Sequence, residues 1–246
     1  MRALIRNLIG PSLSVAIGLM TGLAAQAAQL RIEPMTVEVA APGAAATLTL
    51  RTESTTETTL QIRVFRWSQT NGKETLEPTA DVVASPPAVT MSPGKEYIAR
   101  IVRVTKRPIG GEEAYRIFVD QLPEPAQKGA QTVNLLVRYS IPAFFIEQQG
   151  ASSSVKWSLT SNQGKLLLTA QNDGHRRLRL SSVRLKDSSG ATLSFGSGLL
   201  GYVLDRSVMS WTAPSGPRAF GAGGSVSITA ESDQGPIHAE ASGPLR

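Results

Sequence analysis

Residues 196–201, "GSGLLG", fit the G-x-G-x-x-G spacing that lets backbone approach a pyrophosphate. That chemistry needs a strand before the glycines and a helix N-terminus after them. Here "GYVL" follows, which reads as another strand, so the segment is expected to be a glycine-rich hairpin. The chain has no cysteine and only two histidines, His175 and His238. Thiol chemistry, cysteine zinc sites and multi-histidine metal sites are therefore excluded, and both histidines read as solvent-exposed loop or tail residues. There is no G-x-S-x-G, no P-loop and no H-E-x-x-H. Nothing in the sequence implies a cofactor, a metal or an enzyme. What remains is a set of arginines placed in strands: Arg100 in "YIARIVRV", Arg116 in "AYRIFVDQLP" and Arg138 in "VRYSIPAFF". A guanidinium on a sheet is either an outward, solvated charge or a fork for a carboxylate. The basic run "HRRLRL" (175–180) puts Arg177 and Arg179 on one strand face and Leu178 and Leu180 on the other, which reads as a solvated outer face.

The elements that must position these arginines are strands. "ATLTLR" (46–51) alternates, and "TTLQIRVFRW" (58–67) puts Leu60, Ile62 and Val64 on one face. "YIARIVRV" (97–104) follows the turn "SPGKE", and "YRIFVDQL" (115–122) ends at Pro123. β-Branched and aromatic residues fill these segments and Gly, Pro, Asn and Asp punctuate them. After the short polar stretch "EQQGASSS" (147–154) a second set follows: "VKWSLT", "KLLLTAQN", "RLRLSSVRL", "ATLSF", "GYVL" and "SVSITA". The end, "SDQGPIHAEASGPLR", carries no strong pattern. Short strands at this spacing predict an all-β protein of two sandwiches.

One strand is unusual. In "TVNLLVRYSIPAFF" (132–145), Val133, Leu135 and Val137 alternate on one face, and beyond Arg138 the alternation gives way to an apolar run interrupted by Pro142. A soft polar loop, "PEPAQKGAQ", precedes it. Such a face belongs either to the core of its own domain or to another protein.

The N-terminus reads as a leader. Arg2 and Arg6 precede an apolar run that leads to Ala25-Gln26-Ala27, the layout of a secretory signal peptide with a small-residue exit. Nothing else in the sequence is long and apolar enough to span a bilayer. The formal charge is +6, and Arg2 and Arg6 leave with the leader. No cluster of Lys and Arg interleaved with aromatics suggests nucleic acid.

Taken together, "QIRVFRW" (61–67), "SPGKEYIARIVR", "AYRIFVDQLP" (114–123), "VRYSIPAFF" (137–145) and, more weakly, "GLLGYVLDRS" (198–207) resemble the PapD-like periplasmic pilus chaperones, and among them the archaic, Csu or spore-coat-U, branch. The resemblance covers nearly the whole chain after the leader. It implies two immunoglobulin-like sandwiches set in an L: a signal peptide at 1–27, an N-terminal domain at 28–147 that carries the donor strand G1, a linker at 148–155, and a smaller sandwich at 156–246. It also implies a mechanism. A pilin-like subunit lacks its last strand, and the chaperone lends its own by β-strand addition before delivery to an outer-membrane usher. The partners implied are those subunits and the usher, with no nucleic acid and no membrane insertion, and with a self-capping dimer as one state of the free protein.

On this resemblance Val133, Leu135 and Val137 are the donor residues. Three such aliphatic side chains give a gross gain of roughly 5–9 kcal/mol when buried, reduced by the costs of association. The classical arginine and lysine that clamp the subunit's C-terminal carboxylate are not carried over. Their positions fall near Met35 to Val37, where there is no arginine, and at Ser140 or Arg138. In the archaic branch the arginine of the "YR" motif takes that role, which here is Arg116, with Arg138 second.

Two rivals are disfavoured. A structural subunit or adhesin of the same surface system would begin with an alternating donor extension and lack a final strand. A secreted carbohydrate-binding or hydrolytic sandwich would cluster aromatics or pair carboxylates in a groove, whereas Trp67, Trp157 and Trp211 are spread widely. The reading predicts a periplasmic protein whose mature form starts at Ala28. Intact mass of the exported protein checks this, and a mass that retains residues 1–27 contradicts it.

Overall fold

The computed structural model describes residues 30–123, 136–147, 150–162, 165–214, 220 and 224–242. Every regular element among them is a β-strand, numbered here in chain order. The first sandwich stacks two sheets. One has the order β1 (Leu30–Glu33), β3 (Ala45–Thr52), β8 (Glu96–Arg103), β6 (Val82–Ser85). The other runs β2 (Val37–Ala40), β10 (Arg138–Ile146), β9 (Glu112–Gln121), β4 (Thr58–Thr70), β5 (Lys73–Pro78), with β7 (Ala88–Met91) also paired to β4. Alternation decides which side chains meet between the sheets. Leu48 and Leu50 of β3, Leu60 and Ile62 of β4, Ala99 and Ile101 of β8, and Tyr115, Ile117 and Val119 of β9 form one core with Ile141, Ala143 and Phe145 of β10.

The leading segment serves both sheets. β1 runs antiparallel to β3, and after a short break β2 lies parallel to β10, with Val37 opposite Ala143 and Ala40 opposite Ile146. β2 thus covers only the last four residues of β10. From Arg138 to Pro142 that second edge has no strand beside it among the described residues. Pro142 stands where the covered edge becomes the open one, a position suited to a residue without an N–H.

The second sandwich pairs a three-stranded sheet with a larger one. The first has the order β11 (Val155–Asn162), β12 (Lys165–Asn172), β16 (Val208–Thr212). The second runs β14 (Thr192–Ser194), β13 (Leu178–Asp187), β17 (Ser225–Ser232), β18 (Gly235–Ser242), with β15 (Leu199–Val203) on β13. Three expectations change here. The segment around Gly196 and Gly198 is not a hairpin: β14 and β15 both run antiparallel to β13, at Arg184–Lys186 and Leu178–Ser181, so the glycines interrupt one edge strand. The patternless C-terminal stretch contains β18, paired with β17 from Ser225 opposite Ser242 to Ser232 opposite Gly235. Its inward face is Ile237, Ala239 and Ala241, small enough to hide the alternation. His238 accordingly lies on a strand rather than in a loop or tail, and both it and His175 are exposed as expected.

β4 and β5 are longer than their sandwich requires. Their hairpin turns at Asn71-Gly72, with φ of 53° and 76°, the left-handed pair that matches strand twist. Its tip reaches the second sandwich, where Gly72 bridges to Met209 and the Ser210 N–H donates to the Gly72 carbonyl at 3.2 Å. A Cβ on Gly72 would lie 2.6 Å from the Ser210 hydroxyl. Gly72→Ala therefore strains both the turn and the contact. We expect it to lower stability by about 1–2 kcal/mol, read as a fall in the denaturant midpoint with the slope unchanged.

Candidate functional site

The tripeptide Ala114-Tyr115-Arg116 shows how β9 divides its side chains. Tyr115 points into the core, its ring 5.8 Å from that of Phe145. Its hydroxyl donates to Glu113 at 2.9 Å and accepts from Arg66 at 2.8 Å. Burial pushes this phenol up to about 12. Arg116 must then face outward, with Ala114, Phe118 and Asp120. β4 adds Phe65, Trp67 and Gln69 to this outer face, and β10 adds Arg138, Ser140, Pro142, Phe144 and Ile146.

The second sandwich closes one end of that face. Trp67, Ala114, Phe144 and Ile146 are buried with Tyr202 and Leu204 in a small cluster of their own. The Trp67 and Tyr202 rings meet edge-on at 5.3 Å, and Phe144 lies 5.9 Å from each. Arg116 sits at the rim of this cluster, its Cζ 3.7 Å over the Trp67 ring and 5.7 Å from that of Tyr202. Among the described residues it has no hydrogen bond and no carboxylate within ion-pair distance. Burial lowers its pKa, offset in part by Glu74 and Tyr202. Aromatic faces attract a cation without using its hydrogen-bonding fork, so Arg116 is half-buried, charged and open to an anion.

Arg138 stands differently. Its Nε donates to Asp120 Oδ1, its guanidinium lies 5.1 Å from the Phe118 ring, and the side chain is 58% exposed. Asp120 also accepts from Arg63 at 2.6 Å. Of the two candidate anchors one is already neutralised and the other is not. Arg100 is exposed on β8, as an outward charge should be. Val137 precedes β10, 36% exposed, its carbonyl accepting from the Gln121 N–H at 3.1 Å. Val133 and Leu135 lie outside the described residues. Ser140, at the classical lysine position, is exposed on β10 opposite Phe118.

Arg177 overturns an expectation. It is 4% exposed, not part of a solvated strand face. It lies just before β13, in a turn that enters the first sandwich. There its Nη1 meets Glu112 at 2.5 Å and its Nη2 meets Glu38, while Arg176 reaches the other Glu38 oxygen at 2.6 Å. Its guanidinium covers Phe144 at 3.7 Å. Burial pushes Glu112 up despite Arg177; Glu38 is also pushed up by burial, but Arg177 and Arg176 outweigh this and hold it low. Alternation could not reveal this, because the residue that Arg177 meets lies in the other sandwich. The arginine doublet 176–177 was the only available signal.

Asp120 offers a pH test. Burial raises its pKa, but hydrogen bonds from Arg138 and Arg63 outweigh this and hold it below the usual carboxylate range. A depressed carboxylate stabilises the fold above its unfolded pKa and loses that effect as pH falls through the folded value. Asp120→Asn should cost roughly 1–3 kcal/mol at neutral pH. Its Tm should converge on that of the wild type in acid below the usual aspartate range.

Residues 29–148 match the family model described as pili and flagellar-assembly chaperone, PapD N-terminal domain. Among solved structures, the chain is similar to the CsuC–CsuE chaperone–tip adhesion subunit pre-assembly complex from archaic chaperone-usher Csu pili of Acinetobacter baumannii, with 24% identity over 89% of this chain and 99% of that one and a TM-score of 0.69. It is similar to the complex of the Salmonella enterica SafA pilin with the SafB chaperone, with 20% identity, coverage of 88% and 98% and a TM-score of 0.61. It is also similar to the E. coli chaperone DraB, with 18% identity, coverage of 86% and 98% and a TM-score of 0.56. These structural likenesses are likenesses of fold. No curated protein sequence matches the chain. The first sandwich thus belongs to the PapD-type pili and flagellar-assembly chaperones, as their N-terminal domain.

Proposed function

We propose that this chain is a periplasmic chaperone of the archaic branch, which holds pilin-like subunits by donor-strand complementation and hands them to an outer-membrane usher. The observation that carries the reading is the edge of β10 from Arg138 to Pro142, open among the described residues, beside an Arg116 that has no ion-paired carboxylate among them. An unpaired edge accepts an extended strand through backbone hydrogen bonds. The alternating residues just upstream, Val133, Leu135 and Val137, supply the side chains that fill the subunit's missing core. The chain divides at the 148–155 linker, and a leader over 1–27 directs export.

Arg116 anchors the subunit's C-terminal carboxylate. A half-buried guanidinium bears a desolvation cost that a bidentate carboxylate offsets. Arg138 contributes less, because Asp120 already occupies its Nε. No covalent step is involved: the client is held short of its final fold until a second subunit's strand replaces that of the chaperone. The solved complexes of CsuC with CsuE and of SafB with SafA support a pilin or tip subunit as the client class.

Co-expression with a small exported β-rich subunit tests both contacts. Leu135→Glu should abolish recovery of the subunit while leaving the chaperone's Tm unchanged; a collapse of the chaperone itself would mark Leu135 as its own core. Arg116→Ala should reduce binding by one to two orders of magnitude, and Arg116→Lys should restore it only in part, because an ammonium cannot form the fork. Normal binding by Arg116→Ala together with loss in Arg138→Ala would move the anchor to β10.

A further inference from the structure

Gln69 is a buried polar residue on the outer face of β4, two positions beyond Trp67. Its side-chain amide spans the gap between the two sandwiches. Nε2 donates to the Tyr202 carbonyl at 2.8 Å, and Oε1 accepts from the Leu204 N–H at 2.9 Å, both bonds buried. In an extended strand the carbonyl of one residue and the N–H of the second residue onward point to the same side. A primary amide offers one donor and one acceptor at that spacing, so Gln69 stands where a neighbouring strand would otherwise pair. The backbone that it holds carries Tyr202, and Tyr202 is the part of the second sandwich that borders Arg116 and Trp67.

We infer that Gln69 is a positioning residue for the carboxylate anchor: by fixing the backbone at Tyr202 and Leu204, it builds the far wall of the Arg116 pocket out of the second sandwich, so that carboxylate binding is coupled to docking of the two sandwiches. This rests on the reading of Arg116 as the anchor. The walls of the pocket come from both sandwiches, Trp67 from one and Tyr202 from the other. Without the amide, two buried backbone groups lose their partners, and the segment at Tyr202 shifts to recover them elsewhere. Arg116 then gains access to water, and a carboxylate on it is worth less. Pairing along the open β10 edge lies outside this wall and is unaffected.

The test is a double-mutant cycle. The probe is a synthetic peptide of alternating valine and threonine, long enough to lie along β10 and made with either a free C-terminal carboxylate or a carboxamide. Wild-type protein should prefer the carboxylate by about tenfold, and Arg116→Ala should erase the preference. Gln69→Met keeps the volume and removes both hydrogen bonds; it should retain the carboxamide affinity while the preference falls to about twofold. Gln69→Glu, which keeps an acceptor for Leu204 but has no donor for Tyr202, should lose the preference as well. If Gln69→Met prefers the carboxylate as strongly as wild type does, or weakens both peptides by the same factor, the inference is overturned and the anchor stands. If wild type itself does not distinguish the two peptides, the anchor reading falls and the coupling falls with it.

Discussion

Along β10 the environment changes in mid-strand, and the rest of the molecule is arranged around that change. From Ala143 to Ile146 every side chain is buried. Ala143 and Phe145 face the core of the first sandwich, and Phe144 and Ile146 face the second. Both edges are also paired there, by β9 and β2. From Arg138 to Pro142 one edge is paired and, among the described residues, the other is not. A strand with an unsatisfied edge slips or aggregates unless something fixes its register. Here the buried half fixes it: a shift of one residue would exchange Phe144 and Phe145 between two differently built cores. The permanently saturated half is therefore what allows the other half to stay available.

The second sandwich contributes to this by covering the outer face of β10 rather than its edge. Two kinds of contact hold it there. Arg177 and Arg176 are matched against Glu112 and Glu38 at one side, and the amide of Gln69 is matched to backbone at the other. Breaking one member of such a set leaves a buried charge or donor uncompensated, so the contacts specify one docking geometry more than they add stability. Arg116 sits between these two fixed points against the rings of Trp67 and Tyr202.

Most of the fold was legible because alternation in β3, β4, β8 and β9 follows directly from having one buried face. Where the buried face is built from alanine, as in β18, the same alternation has too little contrast to be read. The glycines at 196 and 198 carried a true signal of irregular backbone, but composition does not say whether such a break ends a strand or interrupts it. The candidate anchors were legible as outward arginines, and nothing local separated Arg116 from Arg138. What separates them is Asp120, which is opposite Arg138 across the sheet and four positions from Arg116 along it. Arg177 was misread because burial at a contact between sandwiches has no period. Gln69 gave no sign at all, since its partners are backbone groups of residues more than a hundred positions away.

The parallel pairing of β2 with β10 also sets a timetable. β2 cannot join its sheet until Ala143 to Ile146 are present, because among the described residues no other strand lies beside it. Closing so long a loop costs entropy before the contact returns anything, and contacts of this span slow folding. A chain that emerges N-terminus first can therefore pair β1 with β3 early but leaves β2 waiting. It must stay unaggregated until nearly the whole first domain has emerged, so the protein that protects others from premature contacts passes through the same exposed interval itself.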